Sequence, residues 1–409
     1  MRVLHTSDWH LNDRLGCQDR RPDISRVLQQ IAGYLDEGDI DVMLVAGDIF
    51  SELSTREQLR DSLAEVRAIF MPFLERGGTI VAISGNHDND VFFETMRNAL
   101  DLVSPRLNGG NGIHGAQPTG RVYIAPRPRV LPLADKQGQV VQFVLMPYPT
   151  ARCYLRGVSQ KFSNIEERHR AIQAGYTEMI GLLQAHESFD KKLPSVLVSH
   201  VHVRGSEIHS LFRISEMDSV VFEPDDIPSG WAYAAYGHIH KPQKIKGADN
   251  MRYCGSIERF DAGEHKDDKM VVLFELGSSG LVQACEELPL TSTPMHQVIV
   301  TNPEYDIPRL ADTYQDADRA LVKYTLHWDP HKHNREEICK DIERTFPRWY
   351  SRKFEIIGAD AQAERAWAAE KMQDVTTTVR NYLGTQLKDN AHRDQLLALA
   401  DELLAEEGY

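Results

Sequence analysis

The stretch VAISGNHDND (residues 81–90) runs four mostly apolar residues into Gly85 and then sets Asn86, His87 and Asp88 side by side. A short apolar run that stops at a glycine predicts a buried strand ending in a turn. Three polar side chains that can carry protons or bind metal, crowded at that end, predict that the turn does chemistry. The same pattern lies upstream. RVLHTSD (2–8) and VMLVAGD (42–48) read as strands, and DISRVLQQIAGYLDEG (23–38) and TREQLRDSLAEVRAIFMPFLERGG (55–78) read as the helices between them. Apolar strands alternating with amphipathic helices predict an α/β fold that carries its reactive groups in loops beyond the strand ends.

Downstream, Gly and Pro are frequent from 105 to about 145, which predicts loops and short hairpins at a sheet edge. Strands resume at VVQFVLMPY (140–148), SVLVSH (195–200), WAYAAYGHIH (231–240) and KMVVLFEL (269–276), with a helix near 165–186. After Pro289 and Pro294 the pattern changes to HQVIVTN, ALVKYTLHW and a helix near 335–345. We expect a large domain over 1–288, a small α+β domain over 289–358 and a polar, helix-prone tail over 359–409. A chain of 409 residues is long enough for such a division.

Composition bounds the function. The charged share of 26% and hydrophobic share of 42% fit a soluble globular protein. The apolar runs are strand-sized, so neither a signal peptide nor a membrane span is expected. Five scattered cysteines without a Cys-x-x-Cys pair argue against a disulfide framework or a zinc ribbon and point to a reducing cytoplasm. The net charge of −14 argues against a surface that holds nucleic acid by charge alone. It leaves room for a nucleic-acid enzyme whose positive charge is local, from metal ions or from basic clusters such as Arg127 with Arg129 and Lys191 with Lys192. Those clusters read equally well as solvated loop charges.

Five strand ends deliver Asp, Asn or His: Asp8 and His10, Asp48, Asn86 and His87, His200 and His202, His238 and His240. Any one alone is better read as a turn cap or a satisfied polar residue. Together they are a candidate site, because parallel strands deliver their ends to one sheet edge. Residues i and i+2 of an extended segment point the same way, so Asp8 with His10, and His238 with His240, are each expected to address one site. Carboxylate, amide and imidazole ligands without thiolate fit Mn²⁺ or Fe²⁺ better than zinc or Mg²⁺. Seven ligands, the set without His87 and His202, exceed one mononuclear site and suit two cations about 3.5–4 Å apart.

The motifs SDWH, GDIF, GNHD, SH and GHIH stand in an order and spacing that resembles the calcineurin-like metallophosphoesterases. LHTSDWHL (4–11), GHIHKPQ (237–243) and YCGSIERFDAGE (253–264) narrow the likeness to SbcD-type nuclease subunits of the SbcCD DNA repair complex and their archaeal and eukaryotic relatives. The resemblance implies a metallophosphoesterase β-sandwich flanked by helices, with a capping, DNA-binding domain and a helical tail. It implies that Asp8, His10, Asp48 and His240 hold one divalent metal ion, and that Asp48, Asn86, His200 and His238 hold a second, with Asp48 bridging. Manganese is the expected ion, with iron or magnesium as alternatives. His87 would be the catalytic histidine outside the metal shell, protonating the leaving oxygen or stabilising the transition state. GDIFS puts Ser51 where archaeal and eukaryotic relatives commonly carry a second histidine. Asp88 reads either as a turn cap or as an orienter of His87, and His202 is left without a role.

The same likeness implies partners: DNA, an SbcC-like SMC-type ATPase with a coiled coil, and a second copy of the chain. Val375, Val379, Tyr382 and Leu387 mark one apolar helix face in the tail; Leu396, Leu397, Leu399, Leu403 and Leu404 mark a second. Such helices fit either docking on the ATPase or packing on the chain itself. Phe92, Phe93, Met96 and Leu100 recur at helical spacing and read as core or, by the resemblance, as part of a homodimer contact. The functions weighed are a metal-dependent DNA exonuclease and endonuclease, a phosphodiesterase or phosphatase for small phosphoesters or phosphoproteins, and a non-catalytic DNA-binding scaffold.

Overall fold

The computed structural model describes residues 1–52, 54–103, 116–155, 162–209, 220–357, 383 and 393–406. The chain divides into two compact units, Met1–His296 with Arg319–Leu321, and Gln297–Asp318 with Val322–Tyr409.

The first unit is built on two sheets. In one, Arg2–Thr6, Val42–Ala46, Thr79–Ile83 and Val122–Ala125 pair in parallel in that order. Met270–Gly277 closes this sheet antiparallel to Arg2–Thr6. In the other, Val140–Met146, Ser195–His200, Tyr233–Gly237 and Met251–Tyr253 run parallel. Arg129–Ala134 adds an antiparallel edge.

These strands read as continuous apolar runs because both of their faces are buried. Val3, Leu44 and Val81 meet Phe143, Val196 and Ala235 in a core between the sheets. On the outer face of the first sheet, Leu4, Met43 and Val45 pack against Val27, Leu28 and Ile31 of the helix Arg21–Glu37. On the outer face of the second, Leu197 and Tyr236 pack with Ile172, Tyr176 and Ile180 of the helix Ile165–Ala185. The result is the expected sandwich with helices on both outer faces. Its interior is large: burying one Leu or Phe side chain contributes roughly 1.5–3 kcal/mol.

Local signals set the helix starts. Thr55 and Gln58 form a reciprocal capping box before Arg56–Glu75, and Asn164 accepts the Glu167 N–H before Ile165–Ala185. In the helix Asp90–Val103, Phe93 is fully buried, and Phe92, Met96 and Leu100 pack against the same core. That stripe serves the interior. Among the described side chains of this helix, Val91 and Leu102 are the large apolar residues that stand exposed.

The second unit holds a three-stranded sheet ordered Met295–Val300, Leu321–Trp328, Trp349–Ile356. Its last two strands are parallel, and the helix Arg335–Thr345 lies in the connection between them. Buried Tyr324, Leu326, Ile342 and Phe346 line its interior. The helix Arg393–Glu406 leaves Leu396 and Leu399 exposed. The tail positions Val375, Val379, Tyr382 and Leu387 lie outside the described residues. No helix among the described residues is long and apolar enough to cross a membrane.

Candidate metal centre

Parallel pairing brings the carboxyl ends of five strands to one edge of the sandwich. Val45 pairs with Thr6 and with Ala82, so the loops holding Asp8, Asp48 and Asn86 leave the first sheet together. Gly237 pairs with His200 in the second, which brings His238 and His240 beside His200. The loops are stitched there by backbone bonds: Asp8 N–H donates to Gly47 O at 3.0 Å, and His10 N–H to Asp48 O at 3.0 Å.

Glycine permits the approach. A Cβ on Gly85 would run into Asp48 Oδ1, and one on Gly237 would run into the Ala46 carbonyl. The candidate ligands themselves carry unusual backbones, with φ of +51° at Asp8, +44° at His10, +51° at Asp48 and +97° at His238. This corrects one expectation. Asp8 with His10, and His238 with His240, share the site through left-handed turns and not through the pleat of an extended segment, because each loop must double back sharply at the strand tip.

All seven proposed ligands meet. His10 Nε2 lies 3.1 Å from His240 Nε2, and Asp8 Oδ1 lies 3.9 Å from His240 Nε2. Asp48 Oδ2 is 3.3 Å from His200 Nε2 and 3.8 Å from His10 Nε2, so it faces both halves of the cluster. Asn86 Oδ1 sits 3.0 Å from His200 Nε2 and 2.9 Å from His238 Nδ1. Two triads, Asp8–His10–His240 and Asp8–Asp48–His200, have one donor atom per residue within 4.8 Å of one another. A third, His10–Asp48–His87, places His87 against the same cluster.

The donors fit divalent cations. Two buried carboxylates, Asp8 and Asp48, lie among imidazole nitrogens of His10, His200 and His240 that face inward within 4 Å of them. His238 Nε2 is buried without a hydrogen-bond partner among the described residues. Burial, and then the charge on His200, holds the His238 imidazole well below its ordinary range and so keeps it neutral and able to coordinate. Burial works against charge on His200 too, yet the adjacent Asp48 carboxylate pushes it up to about 9. Asp48 is held well below the carboxylate range: burial opposes this, but His200 and then His10 outweigh it. Asp8 moves up, chiefly by burial. Two carboxylates buried side by side carry a charge that oxygen- and nitrogen-bound divalent cations would neutralise.

Supporting contacts fix several of these groups. His200 Nδ1 lies 2.7 Å from the Ala46 carbonyl, which can only accept, so Nδ1 carries a proton and Nε2 is the nitrogen that faces the cluster. His240 Nδ1 lies 2.8 Å from Glu264 Oε1. The Ser7 hydroxyl donates to Asp8 Oδ2 at 2.5 Å. Asp88 accepts three backbone N–H groups, from Gly85 at 2.8 Å, Phe50 at 2.9 Å and Ile49 at 3.2 Å, and so clamps the GDIF loop to the GNHD loop. Burial, and then the Asp48 charge, pushes its carboxyl up to about 7. Asp88 is therefore a clamp on two loops.

His87 stands at the rim. Its backbone N–H donates to Asp48 Oδ1 at 2.8 Å, and its Nδ1 lies 3.5 Å from Glu52 Oε2. Ser51 is buried and bonds by its N–H to the Leu11 carbonyl, so the neighbouring Glu52 is the residue beside the imidazole. Sequence reading missed Glu52, for which the only signal was a carboxylate one residue past the position compared. A cavity of about 480 Å³ opens beside His87, lined also by Phe50, Glu52, Arg56 and Phe92.

His202 is buried, with its ring 6.3 Å from that of His238. Arg127 is committed to Glu94 at 2.9 Å. Lys191 and Lys192 line a cavity of about 700 Å³ with Ser195 and Trp231, at the amino ends of the strands that carry His200 and His238 at their other ends.

Known proteins share much of this chain. The family described as calcineurin-like phosphoesterase matches residues 1–242. The SbcD component of the SbcCD nuclease from Bacillus subtilis (strain 168) is 28% identical over 288 residues, which cover 67% of this chain and 66% of that protein. The protein of the same name from Escherichia coli (strain K12) is 27% identical over 303 residues, covering 72% and 69%. A DNA double-strand break repair protein Mre11 of Aeropyrum pernix is 26% identical over 325 residues, covering 78% and 67%. The chain thus spans about two thirds of the length of these relatives.

Proposed function

Because the chain belongs to the calcineurin-like phosphoesterase family, we propose that it hydrolyses phosphodiester bonds in DNA, as the Mn²⁺-dependent nuclease subunit of an SbcCD-like double-strand break repair complex in the cytoplasm. The observation that carries this reading is the convergence of Asp8, His10, Asp48, Asn86, His200, His238 and His240 on one sheet edge, with His87 at the rim.

Asp8, His10, Asp48 and His240 would hold one cation, and Asp48, Asn86, His200 and His238 the other. When bound, such a pair supplies Lewis acidity toward a phosphodiester and lowers the pKa of a water. The chain's own residues do the rest. Asp48 ties the halves together, since its oxygens face His200, His10 and the His87 backbone at once. Asp88 keeps the Asp48 and Asn86 loops in register. His87, with 16% of its side chain exposed, can reach a substrate at the rim and give a proton to the leaving oxygen. The cavity beside it offers room for the nucleotide flanking the scissile bond, with Arg56 at hand for a phosphate.

DNA as substrate is supported by the relatives' names and by the second unit. There the Arg335 guanidinium lies 5.3 Å from the Trp328 ring centroid and 4.9 Å from that of Phe354, while Arg352 lies 5.0 Å from that of Trp349. Aromatic rings interleaved with guanidinium groups suit bases and phosphates. We assign the DNA-capping role to 289–358. The exposed Leu396 and Leu399 of the final described helix support docking on an SMC-like ATPase partner through the tail. Val91 and Leu102 support a homodimer through the helix Asp90–Val103.

The test is cleavage by the purified chain, with Mn²⁺, of linear duplex, hairpin and single-stranded DNA beside a small phosphodiester. DNA cleavage is expected. Hydrolysis of the small ester alone, even with the ATPase partner present, would move the assignment to a small-phosphoester hydrolase.

A further inference from the structure

The segment GSIERFDAGE (255–264) and the following Lys269 enclose an ion pair that none of the chemistry above uses. Glu264 and Lys269 have fully buried side chains and lie 2.7 Å apart. Glu264 Oε1 meets His240 Nδ1 at 2.8 Å, while its Oε2 meets Lys269 and, at 3.2 Å, the Ser256 hydroxyl. Lys269 also donates to Ser256 Oγ at 2.8 Å and to the His240 backbone carbonyl at 3.0 Å. Both ends of residue 240 are therefore held by one pair.

A buried ion pair is poor at stabilising a fold, since desolvation of two charges offsets most of their attraction, and an apolar pair of similar volume often serves as well. What this pair does well is orient an imidazole. A carboxylate can only accept, so Glu264 requires the proton on His240 Nδ1 and leaves Nε2 as a lone pair facing His10 and Asp8. His200 differs. Its tautomer is set by a backbone carbonyl and is beyond the reach of substitution. His240 is set by a side-chain charge that in turn depends on another.

We propose that Glu264 and Lys269 form a positioning pair that fixes the His240 tautomer and so sets cation affinity at the half of the centre made by Asp8, His10 and His240. The inference rests on the two-cation reading of the site. Neither residue touches substrate; both act through His240.

The test uses the full chain with E264Q and the double variant E264Q/K269M. The double variant removes both charges together, so it stands in for E264Q if the single change leaves Lys269 unpaired and unfolds the protein. Ring ¹⁵N shifts of His240 in metal-free protein, assigned against His240→Gln, should show the Nδ1–H tautomer in the parent and a mixture in the variant, because an amide serves either tautomer. Titration with Mn²⁺ should show two sites in the parent, and in the variant one site weakened about 10–100-fold with the other unchanged. A variant that keeps the parent's tautomer and both affinities overturns the pair's role. A parent that takes up fewer than two Mn²⁺ ions overturns the two-cation reading, and this inference with it, and that failure shows in the parent alone.

Discussion

His240 is 3% exposed and has Glu264 at 2.8 Å, whereas His87 keeps 16% of its side chain in solvent and has Glu52 at 3.5 Å, itself 64% exposed. Both imidazoles belong to one centre, yet one is locked by buried charges and the other leans on a surface carboxylate. The difference follows the chemistry each would do. A ligand must present the same lone pair at all times, while a proton donor must meet substrates that arrive from outside. The wall of the site is therefore built like a core, and the rim like a surface.

The largest effect should come from the wall. Asp48→Ala removes the carboxylate that faces both halves, and we expect activity at background together with loss of bound metal, measured by metal analysis of the purified variant. Retention of both ions would break the distinction between wall and rim. Next is His87→Ala, expected to lower turnover by about 10²–10⁴-fold while two metals stay bound. Loss of an ion there would make His87 a wall residue, as its membership of the triad with His10 and Asp48 allows.

A smaller effect should appear in stability. His5, fully buried behind the wall with Nδ1 3.1 Å from the Tyr233 hydroxyl, is held down to about 3, chiefly by burial. In the unfolded chain it titrates near 6.5. Between those values the unfolded state binds the extra proton, so the contribution is complete above pH 6.5 and is lost as pH falls toward 3. The loss is of the order of 5 kcal/mol over the window. Denaturant unfolding between pH 7 and pH 4 should show a shallower decline for His5→Asn than for the parent. The smallest effect belongs to Glu52→Gln. An exposed pair contributes about 0–1 kcal/mol, so turnover should change by less than about fivefold. A loss matching that of His87→Ala would show the rim to be as tightly built as the wall.

Much of the framework was legible in the sequence because it depends on local pattern. Helices at 21–37, 56–75, 90–103 and 165–185 follow apolar periodicity, and the strands follow apolar runs that stop at Gly or a polar cluster. The candidate ligands were legible because they sit at those stops. The supports were not. Glu264 lies 24 residues from His240, Asp88 reaches back 38 and 39 residues to Phe50 and Ile49, and Lys269 lies 29 residues from His240. No periodicity relates such positions; only the packing of one loop on another does. The left-handed turns at Asp8 and His10 were hidden for a related reason. In sequence, a ligand two residues from another looks like a pleated strand, and only the pairing of the strand tip shows that the chain has already turned.

Those turns have a consequence for anyone evolving this protein in the laboratory. A non-glycine residue held at positive φ costs of order 1–3 kcal/mol, and Asp8, His10, Asp48 and His238 each sit there. Glycine at any of the four would relieve that strain against a chain-entropy cost of about 0.5–1 kcal/mol, so a screen that rewards heat tolerance alone has gains open to it at the very positions that make the centre. Selection for thermal robustness must therefore be paired with selection for turnover at every round, or the fittest survivor will be a well-folded sandwich with an empty edge.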